Sequence, residues 1–274
     1  MKAVLIAASI GIALATGSAL AAELPLKAPP PVYGWTGCYV DGGVGYGMWK
    51  QDHYTELNEP PWTAITPTVS TGGEGWLGRV GAGCDYQVSP RWVIGIFGDY
   101  DFMNLSGSFI DPWSGLIGNE NESGAWGVGG RIGFLVTPRL LTYIDGGYTQ
   151  ANFSQINLNT YSSPPLGPLI SSGLWYPAQT YRGLFLGGGT EYALWDILPI
   201  HGWFWRTEYR YARYGGADLT LTSAAGPATF GPTDCGGAAD PIGTAACGQH
   251  MRKDVQTVTT GLVWKFNFGG SSPW

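Results

Sequence analysis

Asp99 and Asp101 lie two residues apart, and Glu191 and Glu208 add two carboxylates in segments of similar pattern. Paired carboxylates can divide acid and base work when their surroundings push their pKa values apart. The same stretches also carry Arg79, Arg131, Arg206 and Arg210. Guanidinium groups turn such carboxylates into ion-pair partners, and buried charges must pair. The expectation is therefore an internal charge network and no acid–base catalyst. Three histidines are present, His53, His201 and His250. His53 and His250 are read in long extracellular connections and His201 in a short turn. No His–Ser or His–Asp–Ser set then stands on strands. His53, His250 and Met251 would ligate haem or a metal only if two long connections met, and solvated loop histidines are the expectation. The glycine-rich "GVGGRIG" (127–133) and "LGGGTE" (186–191) open no helix, so no phosphate cradle is implied. Neither enzyme activity nor a cofactor is expected.

The elements that carry these charges are strands. In "WRTEYRYARY" (205–214), Trp205, Thr207, Tyr209 and Tyr211 take one parity, and Arg206, Glu208 and Arg210 the other. A period of two puts the two sets on opposite faces of a β-strand. Eight such segments recur, at about 35–49, 74–88, 92–103, 124–136, 140–152, 182–194, 203–214 and 255–268. Their connections alternate in length. "SPR", "TPR" and "WDILPIHG" are short, whereas 50–73, 104–123, 153–181 and 215–254 are long and rich in Gly, Pro, Ser, Thr and Asn. That alternation suits an up-and-down membrane barrel with tight periplasmic turns and long extracellular loops.

Sorted by parity, the segments place residues such as Val40, Val44, Val80, Ile94, Ile96, Val128, Ile144, Leu184, Tyr209, Val258 and Trp264 on one side. No charged residue is assigned to that side. The other side takes seven acids and five bases: Asp41, Asp85, Asp99, Asp101, Asp145, Glu191 and Glu208, with Arg79, Arg131, Arg206, Arg210 and Lys265. Glycine fills many of its remaining positions. A small, charge-bearing parity fits the inside of a narrow barrel, and a bulky aromatic one fits lipid. The fold expected is all-β, an eight-stranded antiparallel transmembrane barrel.

Composition agrees with a membrane location. Charged residues are 12% of 274, aromatics 14%, and glycine numbers 44. The net charge of −6 and the lack of a basic run give no support to a general nucleic-acid role. Lys2, the apolar run "AVLIAASIGIALA" and "SALA" form a secretory signal over 1–21, with cleavage after Ala21. A Pro-rich periplasmic leader (22–34), the barrel (35–268) and a short tail (269–274) follow.

Export makes disulfides permissible for the four cysteines. Cys38 and Cys84 fall on the lipid-facing parity near the periplasmic ends of neighbouring strands, and opposed positions there can bring Cβ atoms within bridging reach. Cys235 and Cys247 share the fourth extracellular loop. The expected bridges are Cys38–Cys84 and Cys235–Cys247. "TTGLVWKF" (259–266) has polar-x-Gly-x-x-aromatic-x-aromatic spacing, and this resembles the terminal strand signal read by the barrel-assembly machinery. Gly261, Trp264 and Phe266 carry it.

"LPLKAPPPVYGWTGCYVDGGVGYG", "GRIGFLVTPRLLTYIDGGYT", "GGGTEYAL", "RTEYRYARY" and "GLVWKFNF" resemble the small outer-membrane immunogenic proteins of alphaproteobacteria. The resemblance implies an OmpA-like barrel, abundant and surface-exposed, described in that family as envelope-structural, antigenic, adhesive or porin-like. The role expected is structural and surface-interacting, with a lumen plugged by charged side chains. A small-solute, porin-like channel is the alternative. Expected partners are outer-membrane lipid and lipopolysaccharide, the assembly machinery and an unidentified surface ligand.

Overall fold

A computed structural model describes residues 34–57, 63–163, 167–194, 202–224, 226–227 and 247–266. The signal and leader, His201, Cys235 and the C-terminal tail lie outside these residues, as does the side chain of Cys247. Thirteen strands follow in order: β1 (Gly37–Leu57), β2 (Val69–Gln87), β3 (Trp92–Ile110), β4 (Ile117–Thr137), β5 (Leu140–Phe153), β6 (Ile156–Tyr161), β7 (Leu169–Tyr176), β8 (Gln179–Ala193), β9 (Trp203–Tyr214), β10 (Ala217–Thr220), β11 (Thr222–Ser223), β12 (Gly226–Pro227) and β13 (Cys247–Phe266). Eight of them close a ring of antiparallel pairs, β1–β2–β3–β4–β5–β8–β9–β13 and back to β1. Closure leaves this ring no edge, the condition for crossing lipid with strands.

Alternation orients the wall. Val44, Trp76, Ile96, Phe102, Ile144, Leu184, Leu186 and Val258 point outward and are exposed, forming an apolar belt. Trp203, Trp264 and Phe266 cluster near one rim, with ring centroids 6.5 Å and 5.5 Å apart. Aromatic girdles of this kind mark a membrane–water boundary. Tyr209 belongs to the belt and donates its hydroxyl to Gln256, while Tyr211 donates to Asp254. These bonds satisfy the phenols along the wall.

The strands run well past the expected ends. β1 continues to Leu57 rather than 49, β3 to Ile110 rather than 103, and β4 begins at Ile117 rather than 124. Pairing explains the extension: β1 stays in register with β13 up to Leu57 opposite Cys247, so polar sequence is held by the ladder. The connections expected to be plain loops also contain structure. β6 and β7 form a hairpin that joins β4 through Ile117–Asn119, and β10 pairs with β13. His53 and His250 therefore stand on strands and not in loops, because β1 and β13 carry them past the belt.

Two further expectations need correction. The outward parity does hold charges, since Glu74, Arg182 and Arg213 fall on it at the extracellular strand ends, above the belt. The inward parity is not only small and charged. Tyr39, Tyr143, Phe153, Tyr181, Phe185 and Phe204 are buried inside. Glycine makes room for them. A Cβ at Gly83 would sit 2.5 Å from the Tyr39 hydroxyl, and one at Gly129 would sit 2.9 Å from the Phe185 ring.

The lumen has two storeys. The lower one, towards the periplasm, holds Tyr39, Phe204 and Val263 among the buried charges. Trp35 lies across its mouth, packed against Phe204 at 5.0 Å and donating from Nε1 to the Pro138 carbonyl. The upper storey is an apolar core that includes Leu105, Phe109, Phe153, Ile156, Leu158, Tyr176 and Met251. Each fully buried side chain of this size is worth about 1.5–3 kcal/mol against exposure to water. Cys38 and Cys84 face each other in register across β1 and β2 and are disulfide-bonded.

Candidate functional site: the charged lumen and the outer wall

The lower lumen brings residues from all eight strands of the ring together. Arg79 holds Asp101 with two bonds of 2.6 and 2.8 Å and reaches Glu208 at 2.7 Å. Arg210 holds Asp99 at 2.8 and 2.7 Å and also meets Glu208 at 3.0 Å. Tyr143 donates its hydroxyl to the second Glu208 oxygen at 2.8 Å. These groups interlock because β2, β3 and β9 alternate with the same period and face one narrow space.

A second cluster lies beside it. Glu191 is fully buried, accepts hydrogen bonds from Arg131 at 3.2 Å and Arg206 at 3.0 Å, and lies 2.6 Å from Lys265 as an ion pair. Asp85 takes Arg131 through a fork at 2.8 and 2.5 Å, and Lys265 at 2.9 Å. Arg206 also reaches Asp41 at 2.9 Å. The guanidinium groups of Arg131 and Arg206 lie over the Tyr39 ring at 4.8 and 4.7 Å, so a cation–π face supports each fork. Forked, charge-assisted bonds of this kind hold orientation as well as energy.

Eleven of the twelve expected lumen charges thus make ion pairs. Asp145 is the exception: it is buried, but neither carboxylate oxygen has a hydrogen-bond partner. Its cross-strand neighbour is Arg131, whose guanidinium is already taken by Asp85 and Glu191. Asp145 lines a cavity of about 10 Å³ with Tyr39, Asp99 and Glu208, space for one water. A side chain's reach across a crowded interior decides this, and parity does not report it.

The upper storey also contains buried polar groups that sequence reasoning missed, Lys253 and its neighbours among them. Lys253 pairs with Glu120 at 2.7 Å, contacts the Gln51 amide oxygen and lies 4.0 Å from the Phe153 ring centroid. Glu122 is buried beside this group with both oxygens unpartnered. His53 points into the same storey, bonds the Ile110 carbonyl at 3.0 Å and stacks near Phe109 at 4.7 Å. His53 lies opposite Met251 and His250 opposite Tyr54, so the two long connections do meet. Alternation nevertheless turns His53 inward and His250 outward. The available signal was the alternation of 51–57 against 247–253, continuous with the belt below.

Above the belt the outer wall is polar. Lys50, Arg182, Arg213 and Arg252 are exposed there. Asp52 sits among them, 2.9 Å from Lys50 and hydrogen-bonded to Ser70, and the Ser70 bond is the main cause holding its carboxyl below the ordinary value.

Residues 9–266 match the family model described as "Outer membrane protein beta-barrel domain". The chain belongs to this outer-membrane β-barrel family. It is 29% identical over 229 residues to the 31 kDa outer-membrane immunogenic protein of Brucella melitensis, and equally to that of Brucella suis. Each match covers 80% of this chain and 90% of the relative. Among solved structures, the barrel is similar to the outer membrane protease OmpT of Escherichia coli, with a TM-score of 0.44 and 12% identity over 84% of this chain and 97% of that one. It is also similar to Ail, the attachment invasion locus protein of Yersinia pestis, with a TM-score of 0.32 and 11% identity over 82% and 99%. At these scores nothing about function passes from those structures to this chain. The family and its relatives place the protein in the outer membrane, in company with surface antigens.

Proposed function

We propose that this barrel is a closed, non-enzymatic envelope protein whose work is structural and surface-interacting. The observation that carries the proposal is the lumen. The five cations of its lower storey are each committed to carboxylates, and a mainly apolar core, with Lys253 paired to Glu120 inside it, fills the storey above them. Ions crossing such an interior would have to break paired, desolvated groups and then enter a packed apolar layer. Asp99, Asp101, Glu191 and Glu208, the carboxylates considered for acid–base work, are each held by arginine, which supports a non-catalytic reading. An N-terminal signal cleaved after Ala21 would deliver the chain for export. Gly261, Trp264 and Phe266 on β13 would serve as the assembly signal. The exposed Lys50, Arg182, Arg213 and Arg252 suit contact with phosphates of lipopolysaccharide and lipid headgroups.

Conductance in planar bilayers tests the central point. The expected result is no steady single-channel step of porin size after reconstitution. Reproducible steps of that size would overturn closure and favour the small-solute channel.

A further inference from the structure

The outer wall above the belt gathers three ligand-type side chains that the closed lumen does not use. β1, β13 and β10 run side by side there. Tyr54 pairs with His250, His250 pairs with Asp218, and Glu56 follows Tyr54 by two residues on the same face. One ligand atom from each of Glu56, Asp218 and His250 lies within 4.8 Å of the others.

The imidazole is held in place. Tyr54 stacks on it at 5.1 Å with planes 20° apart. Gly216 packs against its other nitrogen, since a Cβ there would lie 2.6 Å from Cε1 and Nε2. Nδ1 therefore faces the carboxylates, 2.5 Å from an Asp218 oxygen. Glu56 is 2% exposed, and its Oε1 is buried with no hydrogen-bond partner. A buried carboxylate oxygen without a donor is costly, and a nearby second carboxylate raises the cost.

We propose that Glu56, Asp218 and His250 bind a first-row divalent transition ion such as Zn²⁺, fastening β10 to β1 and β13 on the extracellular face. One imidazole and two carboxylates are a borderline donor set that suits Zn²⁺ and its neighbours, whereas Ca²⁺ and Mg²⁺ take oxygen alone. The ion would replace the proton between Nδ1 and Asp218 and supply the missing partner of Glu56. Bond lengths of about 2.0–2.2 Å require the His250 and Asp218 ligand atoms to part from their present 2.5 Å. Three protein ligands leave a position for water or an external donor.

Calorimetry with Zn²⁺ alone, and Co²⁺ absorption, test this on the full chain, oxidised, folded in detergent and free of a polyhistidine tag. One ion per chain is expected, with a Co²⁺ visible spectrum characteristic of N/O ligation. Glu56→Gln, Asp218→Asn and His250→Gln should each weaken Zn²⁺ binding at least tenfold, and His201→Gln should leave it unchanged. Folding of each variant is checked by its mobility in unheated gels. Absence of saturable Zn²⁺ binding in the unmodified protein would overturn the proposal. So would affinity unchanged in all three variants, or equal competition by Ca²⁺. The Co²⁺ spectrum of the unmodified chain decides the matter even where a variant fails to fold.

Discussion

Arg206 illustrates what one side chain holds in place. Among the described residues it is the only ion-pair partner of Asp41, whereas Glu191 keeps Arg131 and Lys265 if Arg206 is lost. Arg206→Met should therefore strand Asp41 in a desolvated site. The expected destabilisation is on the order of 3–5 kcal/mol, measured by urea unfolding in detergent micelles. Adding Asp41→Asn should recover a large part of the loss, because the uncompensated charge is removed. An equal loss in single and double variants would show that Asp41 is solvated. Parity placed both residues on one side of the sheet, but it could not say which arginine meets which acid. That depends on reach: Arg131 and Arg206 converge on Glu191 through the space beside Tyr39, and Asp145 is left without a donor.

At the scale of elements, the β1–β2 pair is joined twice, by its ladder and by the bridge between Cys38 and Cys84. The bridge closes a segment with a sequence separation of 46. Chain-entropy reasoning gives a stabilisation of about 2–4 kcal/mol for such a closure. Cys38→Ser with Cys84→Ser should lower the unfolding midpoint accordingly while leaving the heat-modifiable folded form intact. Loss of the folded form would mean that the bridge is needed for assembly. The strand cores were legible in the sequence because lipid demands a strict period of two. "RTEYRYARY" and "GRVGAGCDY" state the faces of β9 and β2 plainly. The extensions were not legible. Past Met48 the outward positions turn polar, as in Lys50 and Asp52, and a polar–polar strand reads like a loop. The large inward aromatics were missed for a related reason. Tyr39 and Phe185 are accommodated by glycines on neighbouring strands, and cross-strand complementarity leaves no mark within one segment.

For the whole molecule, closure is doubled. The lower storey shuts by charge pairing and the upper by apolar packing, with distinct residues. Breaking the ion pairs of the lower storey alone, for example with Arg206→Met and Arg210→Met together, should not open a conducting path. Adding Phe109→Ala and Tyr176→Ala above should produce measurable current in planar bilayers, at a stability cost of about 3–5 kcal/mol per aromatic removed. Conductance from the lower-storey variant by itself would show that the apolar layer admits water. The height of the wall has a separate outcome. Because β1, β2, β3, β4 and β13 continue beyond the belt as paired sheet, part of what faces the medium is a rigid pleated surface rather than free loop. Asp52, Ser70 and Arg252 sit together on it, though far apart in the chain. An antibody raised against the native barrel should accordingly recognise a discontinuous epitope on this face, and boiling the protein in detergent should abolish that recognition.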